Sequence, residues 1–142
     1  MMESNTDIAI SFLKLASSGK VNEAYSNYVG NRFSHHNPFF EGTVQALQTG
    51  MEENARQNPN KVFTILRTIS EGDLVVTHSH VQPTPEQRGA VVVHIFRFEN
   101  GKIVELWDVG QPIPEMSVNQ NGIFWNISRR VCHGGLHSIA KH

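Results

Sequence analysis

Asp108 and His94 are the residues of this sequence whose setting most favours chemistry. His94 lies inside VVVHIF with apolar residues on both sides, and Asp108 closes ELWD beside Leu106, Trp107 and Val109. A carboxylate takes and returns protons as a general acid/base. An imidazole orients it, or donates a hydrogen bond to a developing oxyanion. An aspartate at a strand end is commonly a solvated turn residue, and a lone strand histidine is often a hydrogen-bonded core residue. The apolar neighbours argue against full solvation of Asp108. An aspartate with an ordinary pKa of about 3.9 is a weak base at neutral pH, so catalysis requires an apolar pocket that raises it.

Two further clusters carry histidine. His35-His36-Asn37-Pro38 ends a run crowded by Phe33, Phe39 and Phe40. Asn-Pro is a turn signal, but a segment this apolar must bury its polar members with partners. His36 and Asn37 are therefore candidate substrate contacts, with Phe40 beside them. His78 and His80 form an H-x-H on one strand face, about 7 Å apart at strand rise. That spacing suits metal ligation, and with His36, His94 and Asp108 it allows a facial-triad site. Glu86 is misplaced for a cupin motif, however, and no second motif follows. Hydrogen-bonded pocket histidines are the preferred reading, with no metal and no cofactor. G-x-G-x-x-G, P-loop and H-E-x-x-H motifs are absent. Cys132 lies away from the other candidates, which leaves little support for a Cys–His nucleophile.

The stretch Arg88–Glu115 must position the central pair. Its β-rich runs Ala90–Phe98 and Lys102–Val109 flank Glu99-Asn100-Gly101 and predict a hairpin. A two-residue Asn-Gly turn pairs Glu99 with Lys102 and puts His94 and Asp108 on opposite faces. A three-residue turn with Gly101 left-handed pairs Val92 with Asp108, so that Val92, His94, Phe96, Val104, Leu106 and Asp108 share one face. The second register is preferred because it gathers both polar groups on one apolar surface, with Phe96 beside them. The opposite face, Val91, Val93, Ile95, Ile103, Trp107 and Val109, is also mostly apolar. Either the C-terminal segment or a second copy of the chain covers it, and a homodimer is preferred.

Upstream, Ser4 and Asp7 have capping-box spacing before the stripe Ile8, Phe12, Leu15. A second helix carries Val21, Ala24, Tyr25 and Tyr28, and Gly30 closes it. Asn31–Gly42 reads as irregular. Thr43 caps a third helix with the stripe Val44, Leu47, Met51, Ala55, stopped at Asn58-Pro59. Val62–Ile69 and Leu74–Gln82 are strands joined at Glu71-Gly72-Asp73. Helices followed by strands predict an α+β fold with an antiparallel sheet. The chain of 142 residues predicts one domain over residues 1–125, with 126–142 as a tail carrying Arg129, Arg130 and Lys141. A net charge of −1 gives no electrostatic case for nucleic acid or an anionic membrane. No signal peptide or membrane-span pattern is evident, and a single cysteine leaves cytoplasm as the default expectation.

VVHIFRFENGKIVELWDVGQPIPE, together with HHNP, resembles SnoaL-like proteins of the NTF2-like superfamily, over roughly Thr6 to Trp125. The resemblance implies a cone of N-terminal helices on a curled antiparallel sheet around a small-molecule pocket. It implies Asp108 as general acid/base and the HHNP segment at the pocket rim. The expected activity is cofactor-independent proton transfer next to the carbonyl of a small apolar compound, as in aldol-type cyclisation or isomerisation. His94, His36, Asn37 and His80 would be donors, with His78, Phe40, Phe96 and Trp107 around them. The alternative is a non-catalytic binding or sensing module with the same pocket.

Overall fold

Ser4 caps the first helix as its spacing predicts. In the computed structural model, which describes residues 3–124, the Ser4 hydroxyl accepts from the Asp7 N–H at 3.1 Å. Helix α1 (Asn5–Ser17) buries Ile8, Ala9, Phe12, Leu13 and Ala16, a wider face than the Ile8–Phe12–Leu15 stripe. Helix α2 (Val21–Tyr28) buries Val21, Ala24 and Tyr25. The segment expected to be irregular then begins as strand β1 (Val29–His35). Its polar, poorly alternating sequence hides it, because β1 is specified by its partner rather than by its own pattern. Helix α3 (Val44–Gln57) starts where the Thr43 hydroxyl accepts from the Ala46 N–H at 3.1 Å, and ends at Asn58.

Four strands follow: β2 (Val62–Glu71), β3 (Leu74–Gln82), β4 (Ala90–Glu99) and β5 (Lys102–Pro112). With β1 they form one sheet in the order β1-β5-β4-β3-β2. β2, β3 and β4 pair antiparallel, while β1 adds to the far edge parallel to β5. The architecture is the expected α+β arrangement of helices on a curled sheet.

The β3–β4 register sorts the histidines. Val75 pairs with Phe96 and Thr77 with His94 on the inner face, whereas His78 pairs with Val93 and His80 with Val91 on the outer face. The inner face packs Val75, Phe96, Phe98, Ile103 and Leu106 against Phe12 and Tyr25 in one core. Phe96 is fully buried, edge-on to Phe12 at 6.1 Å.

The central hairpin corrects the expected turn. β4 ends at Glu99 and β5 starts at Lys102, and both Asn100 (φ 52°) and Gly101 (φ 75°) are left-handed. This is the two-residue turn whose twist matches the flanking strands. Simple alternation from it would separate His94 and Asp108. The alternation slips instead at Ile103 and Val104, consecutive residues that are both buried, which is the signature of a bulge. Beyond the slip Arg97 and Glu105 share the outer face, with Nε donating to Oε1 at 2.9 Å, while Leu106 is buried and the half-buried Asp108 carboxylate acts on His94 and Tyr25 of the interior. The grouping of His94 with Asp108 is thus reached by a different route, and Ile103 joins the core instead of the outer face.

Contacts divide the chain into two compact units, Met1–Gln111 and Pro112–His142. The described part of the second is a turn in which Asn121 N–H donates to the Asn119 side chain at 2.8 Å and Gly122 is left-handed. The predicted 126–142 tail, with Cys132, lies outside the described residues. Among the described residues no helix is long and apolar enough to cross a membrane.

Candidate active site

The inner end of β5 and the loop after β1 build the site. His35 and His36 are adjacent on a strand edge, so their side chains leave on opposite faces. The His35 ring turns inward and is buried. Its Nε2–H donates to the Glu41 carbonyl at 2.8 Å, and its Nδ1 accepts from the Asn37 N–H at 3.1 Å. Asn37 is then held twice more. Its Oδ1 accepts from the Phe39 N–H at 2.9 Å, and its Nδ2 donates to Asp108 Oδ2 at 2.9 Å. Asn37, a candidate substrate contact from the sequence, is thus bonded to Asp108, and the first histidine of the motif, rather than the second, lies on the site side.

His94 faces the same interior. It lies between the rings of Phe63 (6.2 Å) and Phe96 (5.9 Å), and its Nδ1 is buried with no partner. Burial drives its pKa down from 6.5 to about 4, the nearby Asp108 carboxylate opposing the shift. His94 is therefore a neutral imidazole at physiological pH. Thr77, directly across from it, and Ser79 are also buried with unpartnered hydroxyls.

Tyr25, which the sequence places in an apolar helix stripe, completes the site. Its hydroxyl donates to Met51 Sδ at 3.4 Å, a weak acceptor, and burial first, then the charges of Asp108 and Glu52, push its pKa up. Nothing local to α2 marks this role, since the contact depends on how helix and sheet pack.

Five other candidates stand elsewhere. His36 stacks on Trp107 at 4.9 Å and 9°, and bonds to Glu105 Oε2 at 2.6 Å on the outer face. That bond, with the one from Arg97, holds the Glu105 pKa below its ordinary value. His78 is bonded to Arg67, and His80 to the Arg88 carbonyl at 2.7 Å, on the same face. Burial and then the Arg67 charge lower the His78 pKa. The period-two geometry that unites His78 and His80 also parts them from His94. Phe40 packs over Gly50 and lines a separate groove of about 710 Å³ along α3, with Thr43 and Glu53. Among the described residues no three His, Cys, Asp or Glu side chains converge as a metal site requires.

Residues 12–106 match the SnoaL-like domain. The chain belongs to that family. No curated protein gives a match. The fold of this SnoaL-like chain is shared by solved structures. An NTF2-like protein of unknown function from Cytophaga hutchinsonii has a TM-score of 0.64 at 13% identity, covering 79% of this chain and 94% of its own. A proposed polyketide cyclase from Acidithiobacillus ferrooxidans has a TM-score of 0.61 at 16% identity, covering 78% and 91%. AclR, a proposed hydroxylase from Streptomyces galilaeus, has a TM-score of 0.65 at 19% identity, covering 78% and 91%. At these identities the likeness is one of fold. The SnoaL-like match ends two residues before Asp108, so the case for Asp108 rests on its surroundings.

Proposed function

We propose that this SnoaL-like chain is an acid–base catalyst acting on a small, largely apolar carbonyl compound, with Asp108 as general acid/base. The observation that carries this reading is the setting of Asp108: fixed by Asn37 at 2.9 Å and electrostatically coupled to buried, neutral His94 and to Tyr25. The Asp108 carboxylate takes a proton from the carbon beside the carbonyl, and the electron pair moves into the C=O to give an enolate. Hydrogen bonds from the Tyr25 hydroxyl, the second Asn37 amide proton or a His94 N–H stabilise the oxyanion as charge develops. Because His94 is neutral, it acts as a dipolar donor and not as a cation. The enolate carbon then attacks a second carbonyl in an aldol closure, whose alkoxide takes the proton back from Asp108, or Asp108 returns the proton to a different carbon in an isomerisation. Neither route requires a cofactor. The neighbour described as a proposed polyketide cyclase supports the first route; another described as a proposed hydroxylase shares the fold, and fold alone does not select a reaction.

The test begins with the molecule that copurifies with the protein, identified by mass spectrometry after denaturation. Deuterium exchange next to its carbonyl should fall by at least about 100-fold in Asp108→Asn, with binding near that of the original protein. Full exchange in that variant would leave a binding or sensing module as the better reading.

We also propose a homodimer through the outer sheet face. Ile69, Val76 and Ile95 form a cross-strand row there, beside Val93, and Ile69 is 63% exposed. A solvent-facing sheet surface is ordinarily polar.

A further inference from the structure

We propose that His35 is the positioning residue of this site: its buried ring holds the Asn37 loop so that the Asn37 amide is aimed at Asp108. The inference rests on reading Asp108 as the catalytic group, and adds a residue that neither touches the carboxylate nor belongs to the outer-face network. His35 pairs with Leu106 across β1 and β5, two residues before Asp108 on the neighbouring strand. From there its ring bridges the loop, with Nε2–H on the Glu41 carbonyl (2.8 Å) and Nδ1 on the Asn37 N–H (3.1 Å). One tautomer, protonated at Nε2 and bare at Nδ1, satisfies both bonds. The backbone of residues 37–41 is thereby folded back on the strand end, and Phe39 N–H takes the Asn37 Oδ1 at 2.9 Å. With its oxygen occupied, the Asn37 side chain has its nitrogen left for Asp108, and the bond at 2.9 Å follows.

His36 works from the other side of the same strand. Its N–H donates to the Leu106 carbonyl at 3.0 Å, and its ring is held by Trp107 and Glu105. The outward histidine thus ties the segment to β5, and the inward one folds the loop and sets the angle at which Asn37 meets the catalytic carboxylate. Misplacement of a reacting group by about 1 Å can cost about 100-fold in rate, which makes such a residue functionally significant without contact to substrate.

Hydrogen exchange of the Asn37 side-chain amide, followed by NMR on ¹⁵N-labelled protein, tests this without reference to any substrate. The amide should be protected in the original protein. Exchange should quicken by at least about 10-fold in Asp108→Ala, which removes the acceptor, and equally in His35→Phe, which keeps a ring and removes both polar atoms. The backbone amides of β3 and β4 should stay protected in both, separating lost aim from general loosening. His35→Gln, whose amide oxygen and nitrogen are spaced like the two ring nitrogens, should restore part of the protection. An Asn37 amide as protected in His35→Phe as in the original protein overturns the proposal. So does a ring found by long-range ¹⁵N–¹H correlation to be protonated at Nδ1, a measurement that needs no variant. Should Asp108→Asn keep full carbonyl-adjacent exchange while the amide behaves as described, the catalytic reading fails and the positioning role stands. A kcat lowered about 100-fold in His35→Phe at unchanged KM would join the two.

Discussion

Replacing His94 with phenylalanine should flatten the acid limb of the stability curve. The unfolded chain binds a proton at His94 with an ordinary pKa of 6.5, whereas the folded site does so only near 4. Between those values the unfolded state holds more protons, so stability rises with pH across the window and is lost as pH falls through it. The full difference corresponds to about 3 kcal/mol. Most of it falls where few carboxylates titrate: between pH 7 and pH 5 the loss due to His94 is about 2 kcal/mol. Phenylalanine fits the test because the imidazole already lies between two phenyl rings, Phe63 and Phe96, and the substitution removes the proton site while keeping a ring. Urea unfolding at half-unit steps from pH 5 to pH 7 gives the measurement. The original protein should lose about 2 kcal/mol relative to His94→Phe over that range, whichever is more stable at pH 7. The remaining histidines are common to both proteins and cancel in the comparison. A difference that does not change with pH would mean that His94 titrates normally, and the neutral-donor role would fall with it.

Three shorter tests bear on the rest of the molecule. In Asp108→Asn the imidazole of His94 loses the charge that partly offsets its burial, so NMR titration should find its pKa lower still; an unchanged or higher value would separate the two groups. Light scattering at micromolar concentration should give the mass of two chains, and Val93→Lys or Ile95→Lys should give one; a single-chain mass for the original protein would remove the outer face as a dimer interface. Gly89 sits at φ +72°, where a Cβ would come within 1.9 Å of the Val81 carbonyl oxygen. Gly89→Ala should therefore lower thermal and urea stability by more than about 2 kcal/mol, and near-normal stability would mean that the loop yields.

Local signals carried much of the architecture. Ser4 and Thr43 cap the helices they were expected to cap, because an N-cap depends only on a hydroxyl and the next three residues. β3 and β4 largely follow their period-two pattern, whereas β2 shifts register between Ile65 and Arg67. What local pattern could not carry is anything set by a distant partner. β1 exists because β5 offers it an edge, so its own residues, Gly30, Asn31 and Arg32 among them, advertise a loop. Tyr25 looks like one apolar stripe residue among four, and only helix–sheet packing brings it within electrostatic reach of Asp108.

The hairpin shows how a wrong local premise can reach a right neighbourhood. Asn100-Gly101 is the strongest two-residue turn signal there is, and read alone it sends Asp108 to the outer face. The interior offers His94 an aromatic slot and needs an apolar residue at each inward position of β5. Ile103 can enter the core only if the next step slips, since Glu105 is committed to Arg97 and His36 outside. Burying Ile103 and Val104 together meets both demands, and every residue beyond the slip changes face. The placement of Asp108 inside therefore depends on the outer ion network as well as on the core. This links the two faces in a testable way. Glu105→Leu removes the anchor that keeps position 105 outward and offers an apolar side chain to the core instead. If the register is held by that anchor, Glu105→Leu should lose the protected Asn37 amide, and the His94 pKa should drop as Asp108 turns away. If both stay unchanged, core packing of Ile103 and Leu106 alone fixes the slip, and the outer network is only a surface feature.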